Sequence, residues 1–217
     1  MAKFYSETHR ALQDAFGVRK LADAVEQAVV REKIEQPERA FIESRDMFFL
    51  STVDPRGRPT VSYKGGDPGF VRVIDDVTIA FPSYDGNAMY LSMGNINGNS
   101  NVGLLFIDFQ KPHRIRVQGH ASIQKNDPLL ADYKDAEIIV RVGITEIFKN
   151  CPRYVHKYQK IQPSKFVPRE SEDTPMPDWK RIDVLQESLP LKDRGKTEKY
   201  GGTLTIEEYG ALEKRDD

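Results

Sequence analysis

The chain is short of the features that usually commit a protein to one class. Cysteine occurs once in 217 residues, as Cys151, which excludes an internal disulfide framework. The four histidines stand at 9, 113, 120 and 156. No H-x-x-x-H or C-x-x-C pair exists, and such scattered ligands argue against a metal site. Long apolar runs are missing: nothing approaches the ~18 residues of a membrane span. The opening stretch, MAKFYSETHRALQDAFGVRK, has no apolar core of signal-peptide length. An excess of one charge is missing too, since 32 Lys and Arg meet 33 Asp and Glu for a net of -1. That balance speaks against a dedicated nucleic-acid binder. The expectation is a cytoplasmic protein without a membrane or nucleic-acid partner, with one domain of sizeable core and some appended elements.

What is present begins with a helical pattern. Over residues 6–31, Leu12, Phe16, Leu21, Ala22, Val25, Ala28 and Val29 recur mostly at three- and four-residue spacing, and Gly17 divides the run. Pro37 suits the first position of a second short helix, which would turn Phe41 to a buried side. From Met47 the period changes to two. MFFLSTV, PTVSYK, FVRVI, VTIAF, NVGLLFID and RIRVQGHASI read as strands, with Asp54-Pro55-Arg56-Gly57 a strong turn between the first pair. The cleanest alternation puts Ile115, Val117, Gly119, Ala121 and Ile123 on one face, and Arg114, Arg116, Gln118, His120, Ser122 and Gln124 on the other. Small residues at 119 and 121 suit a tightly curved wall. Asp127-Pro128 reads as a helix start, residues 137–148 as a last long strand, and Pro152 as the opening of a short helix through Lys160. The tail from Gln162 reads as mostly irregular, with Trp179 docked rather than dangling. Six or seven antiparallel strands with short turns indicate a barrel.

Two loops hold the candidate ligand groups. A phosphate needs cations and N–H donors converging on one point. Lys64 ends a strand and is followed by Gly65, Gly66 and Gly69, where a ligand could approach the main chain; a plain hairpin loop with a surface lysine fits the same residues. Asn87, Asn95, Asn97, Asn99 and Asn101 crowd the second loop among glycines. Asparagine offers two donors and an acceptor to a ligand, and it also simply tolerates left-handed turns. Arg116 and Gln118 need something lying across their face before they are more than solvated. No catalytic constellation is visible. Ser62, Ser92 and Ser100 lack a G-x-S-x-G setting, and Cys151 and His156 point to different faces if their segment is helical.

The stretches FLSTVDPRGRPTVSYKGGDPGFV, IAFPSYDGNAMYLSMGNINGNSNVGLLFIDF, HRIRVQGHASI and IFKNCPRYVHKY, in this order and spacing, resemble the pyridoxamine 5'-phosphate oxidase-like proteins, the FMN-binding split barrels. HRALQDAFG and LAD look like the N-terminal helix of a bacterial subgroup. The resemblance implies a mainly β fold, a six-stranded antiparallel split barrel with flanking helices, forming a homodimer with FMN in the clefts between subunits. It divides the chain into a helical extension (1–36), the barrel domain (37–160) and a C-terminal tail (161–217) packing on the barrel or the dimer partner. It implies flavin contacts from Ser62 and Lys64 at a strand end, Asn87 in the second loop, Asn95 and Asn99 in the following helical turn, and Arg116 and Gln118 on the strand facing the ring. Arg153 and Trp179 are further positions that would close the site. Two departures stand out. Ala88 and Met89 follow the GN of the second loop, where related barrels often carry arginine. The arginine- and histidine-rich end of true pyridoxamine phosphate oxidases has no counterpart. The expected function is therefore an FMN-dependent oxidoreductase on an unknown small molecule, its flavin meeting a nicotinamide cofactor or a small electron acceptor. The alternatives are a flavin-binding or storage module without turnover, a haem-binding split barrel using His120 or His156, and an interaction scaffold with no cofactor.

Overall fold

A computed structural model describes residues 4–214. The chain forms two compact units, the first running to Pro163 and the second from Ser164.

The first unit opens on two helices, α1 (Glu7–Ala15) and α2 (Arg19–Val29), broken at Gly17 as its positive φ requires. Ser6 caps α1 by accepting from the His9 N–H. Then come β1 (Val30–Arg31), α3 (Gln36–Glu43), β2 (Met47–Val53), β3 (Pro59–Gly65), β4 (Arg72–Val73), β5 (Thr78–Tyr84), α4 (Leu91–Gly98), β6 (Asn101–Asp108), β7 (His113–Gln124) and β8 (Ala136–Asn150). These eight strands join one antiparallel sheet, seven of them in the order β3-β2-β6-β7-β8-β5-β4, with β1 added alongside β8. β8 is long enough to pair with β7 on one side. On the other it pairs with β5 along its first half and β1 along its second.

Of the expected six-stranded split barrel, the mainly β antiparallel sheet and its flanking helices are present, but not the strand count or closure into a barrel. The sheet has eight strands, two of only two residues, and no ladder among the described residues joins the edge strands β3 and β4. The strand expected over FVRVI shrinks to Arg72–Val73 because its start is used elsewhere. The Gly69 N–H donates to the Glu43 carbonyl and the Phe70 N–H to the Asp67 carbonyl. The core lies on one face of the sheet, around Phe48. Its ring meets Phe81 at 4.9 Å and Phe106 at 5.1 Å, and all three side chains are fully buried. The alternation read in β7 holds: Ile115, Val117, Gly119 and Ala121 are buried, and Arg116, Gln118, His120, Ser122 and Gln124 exposed. In α3 it is Glu38 and Ile42 that bury, with Phe41 only half-buried.

Two helix expectations change. Asp127 does cap a helix, accepting from the Leu129 N–H, but Pro128–Asp132 is a short 3-10 turn. Residues 152–160 are not helical. Tyr154, His156 and Tyr158 are exposed, so a helix there would bury no face, and the Tyr158 N–H instead donates to the Phe109 carbonyl.

The second unit is more ordered than its composition suggests. It contains three 3-10 turns (Asp178–Arg181, Asp183–Ser188, Thr197–Tyr200) and α5 (Ile206–Glu213), whose N-terminus is closed by a capping box of Thr205 and Glu208. A buried pair, Lys180 to Asp193 at 2.8 Å, sits at its centre.

Candidate functional site

The register of the edge hairpin decides which side chains share a face. Phe48 pairs with Lys64, Leu50 with Ser62 and Thr52 with Thr60. Phe48, Leu50 and Thr52 are buried core residues. Thr60, Ser62 and Lys64 therefore stand on the core side of the edge strand, and α4 covers part of this row. The Ser62 and Ser92 hydroxyl oxygens lie 3.0 Å apart. The Asn95 amide donates to Thr52 Oγ1 and Thr60 Oγ1, each at 3.0 Å. Lys64 is half-buried next along the row, and no hydrogen bond or ion pair engages its ammonium among the described residues. Burial holds its pKa below the usual lysine value. A cation drawn partly out of water without a counter-charge is a costly arrangement. Tyr90, the residue before α4, is left-handed, and no side chain caps the first turn of the helix, which carries Ser92 to Ser62. Free N–H groups at a helix start favour anions.

The opposite face carries a different row. Val61 pairs with Ser51, Ser51 with Gly103, Gly103 with Gln118, and Gln118 with Glu146. The next row runs from Tyr63 through Phe49, Leu105 and Arg116 to Phe148. Gly103 leaves a gap in side-chain cover, and Arg116 and Gln118 are exposed around it. The ladder shifts register between Gln118 and Gly119. Gly119 is obligatory there, because a Cβ would stand 2.3 Å from the Gly143 carbonyl oxygen.

The structure thus joins Ser62, Lys64 and Asn95 along one side of the edge hairpin, and sets Arg116 and Gln118 on the other side of the sheet. Asn95 donates from its side-chain amide nitrogen to both threonines, so it pins α4 to β2 and β3. Asn99 is a turn residue at the far end of α4, its carbonyl accepting from the Asn101 N–H and side-chain amide. Asn87 is exposed, and its carbonyl accepts from the Met89 N–H. Arg153 is exposed in the non-helical segment, and Trp179 lies half-buried in the second unit with the Lys180 ammonium 5.6 Å from its ring centre. Two of the glycines after Lys64 serve packing, since a Cβ on Gly66 would meet the Phe70 ring at 2.4 Å and one on Gly65 the Tyr63 ring at 2.7 Å, while Gly69 serves a turn with φ of +91°. His120 Nδ1 lies 3.3 Å from the Ser100 hydroxyl, and His156 is exposed. The partner that sequence reasoning missed is Ser92. Only the packing of α4 on β3 brings it to Ser62, and no spacing announces that.

Together these features define a mainly β protein, an antiparallel sheet with flanking helices whose edge strand carries an uncompensated cation on its inner side. The chain belongs to the pyridoxamine 5'-phosphate oxidase family, whose model matches residues 34–166, more than half of its length. Among curated proteins, none matches. Among solved structures, the chain is similar to a putative pyridoxamine 5'-phosphate oxidase from Lactobacillus delbrueckii, at 24% identity over 54% of this chain and 95% of that one, with a TM-score of 0.45. It is similar to HupZ from Group A Streptococcus, at 19% identity over 58% and 99%, TM-score 0.45. It is also similar to an FMN-binding protein from Syntrophomonas wolfei, at 15% identity over 65% and 96%, TM-score 0.42. At these scores the likenesses add nothing to the family match. Among the described residues no helix is long and apolar enough to cross a membrane.

Proposed function

We propose that this protein binds FMN and acts as a flavin-dependent oxidoreductase on a small molecule, as a homodimer with the cofactor between subunits. The observation that carries the reading is Lys64, a half-buried ammonium with no counter-charge among the described residues, on the same side of the edge strand as Ser62, which meets Ser92 in the first turn of α4. An anionic phosphate fits that deficit: it supplies the missing negative charge where Ser62, Ser92 and the first turn of α4 offer hydrogen bonds. Asn87 is exposed in the loop before α4, which supports a further polar contact from its amide.

The second half of the site is the outer face around Gly103, where the glycine adds no side chain and Gln118 and Arg116 are exposed. Lys64 and Gln118 project from opposite faces of the sheet, so one copy does not offer both to the same side of a ligand. Two copies meeting at this edge supply one half each, which supports a dimeric site. Bound flavin would supply the redox chemistry, accepting and releasing a hydride or electrons at its ring. The chain's own residues bind the phosphate, orient the ring and present a hydrogen-bonding amide from Gln118 to it.

The test is a titration of the full chain with FMN, comparing wild type with Lys64→Ala. The substitution is expected to weaken binding by about 1.5–3 kcal/mol, the scale of a hydrogen bond to a charged group. Unchanged affinity would remove Lys64 from the site. Steady NADH or NADPH consumption over many turnovers separates the oxidoreductase from a flavin carrier, which would only exchange its ligand.

A further inference from the structure

The two N-terminal helices are amphipathic, yet neither buries a single residue. Their polar groups are turned toward each other. Arg10 donates to Asp23 Oδ1 at 2.5 Å and to Gln13 Oε1 at 2.8 Å, lies 3.7 Å from Glu26, and stacks over the Tyr5 ring at 4.6 Å. The apolar side looks outward. Leu12, Phe16, Val18, Leu21 and Val25 are 62, 78, 40, 64 and 45% exposed. The alanines at 15, 24 and 28 are exposed between them, small enough to let another helix approach closely. A contiguous apolar face of this kind marks an interaction surface.

Charge selects the occupant. Residues 4–31 carry four acidic groups (Glu7, Asp14, Asp23, Glu26) and four basic ones (Arg10, Arg19, Lys20, Arg31). That neutral balance lacks the basic excess with which surface helices hold anionic lipid. Two exposed rim charges form no ion pair among the described residues: Glu7 at the open end of the hairpin and Lys20 near its tip. A second hairpin laid base to tip across a two-fold axis sets each Glu7 beside the Lys20 of the other copy, with the apolar faces between them. We infer that the α1–α2 hairpin is a self-association surface that packs against the same hairpin of a second copy. The hairpin adjoins the outer face of the sheet, where Phe4 meets Phe148 at 5.4 Å, whereas Lys64 stands on the inner side of the edge strand; Lys64→Ala therefore tests the flavin reading without altering this surface.

Sedimentation velocity on the full chain tests the inference. Replacing Leu12 and Leu21 together by Asp is expected to halve the assembly mass of the wild type. Glu7→Lys and Lys20→Glu should each raise the dissociation constant several-fold, by about the worth of a rim ion pair, and the double reversal should restore it. Equal mass for wild type and the Leu12→Asp/Leu21→Asp protein would overturn the inference, as would charge reversals that show no compensation. Flotation of the wild type with phosphatidylcholine vesicles, lost in the double Asp variant, would assign the face to lipid and overturn it as well.

Discussion

Lys64 shows how a single residue can be unfavourable for folding and useful for binding. Burial lowers its pKa from the ordinary 10.5, so between the two values the unfolded chain holds this proton more firmly than the folded one. The destabilising contribution is therefore complete at neutral pH and fades as pH rises through the folded value toward 10.5. Lys64→Met is expected to raise the melting temperature of ligand-free protein at pH 7, with the gain shrinking toward pH 10.5. Thermal melts across that range check the sign. Asn95 has the opposite character. Asn95→Ala removes both hydrogen bonds that pin α4 to the edge hairpin and should cost about 1–3 kcal/mol in urea unfolding. At this scale the sequence was only partly legible. Lysine followed by glycines suggested an anion site, but the glycine at 66 is spent on Phe70, and nothing in the spacing of five asparagines distinguished the clamp at 95 from the turn at 99. That distinction depends on which strands lie within reach.

The elements themselves were easier to read, because period and caps are local. β2 and β6 match the alternating runs MFFLSTV and NVGLLFID residue for residue, and the α1–α2 break falls at Gly17. Failures came where a distant partner decides. FVRVI yields only two paired residues because α3 captures the Gly69 N–H. The segment after Pro152 carries a helix-start signal without an apolar face to bury. In the second unit, Thr205 and Glu208 stand in the spacing of a capping box, a readable signal for α5 that low apolar content obscured. Asp127 ties the turn at 128–132 to β8. Its carboxylate accepts from the Leu129 N–H and from Arg141 at 2.5 and 3.0 Å, and the Arg141 hydrogen bonds hold its pKa below the ordinary 3.8. This contribution is present above pH 3.8 and lost as pH falls through the folded value. Asp127→Asn keeps a cap acceptor and removes the charge. It is expected to cost about 1.5 kcal/mol at pH 7, with the gap from wild type closing toward pH 3 in acid-unfolding curves.

For the whole molecule, the mainly β antiparallel character was legible from alternation and turns, and the family from the order and spacing of its motif stretches. Strand order was not legible: β2 pairs with β6 and β5 with β8, where a simple succession of hairpins would pair each strand with the next. Nor was closure of the sheet. Closure requires the two edge strands to meet, and β4 is too short and too committed to its turn to pair with β3. The placement of Lys64 and Gln118 on opposite faces likewise emerges only from the register across four strands. The proposed two-copy site rests on this arrangement, with Lys64 on the inner side of the edge strand and Arg116 and Gln118 exposed on the outer face. The most direct measurement is the absorbance spectrum from about 300 to 700 nm of the purified full chain after incubation with FMN and removal of free ligand. Twin flavin bands, with FMN released on denaturation, are the predicted result. A chain that stays colourless would contradict flavin binding, and a sharp Soret band as purified would give the site to haem instead.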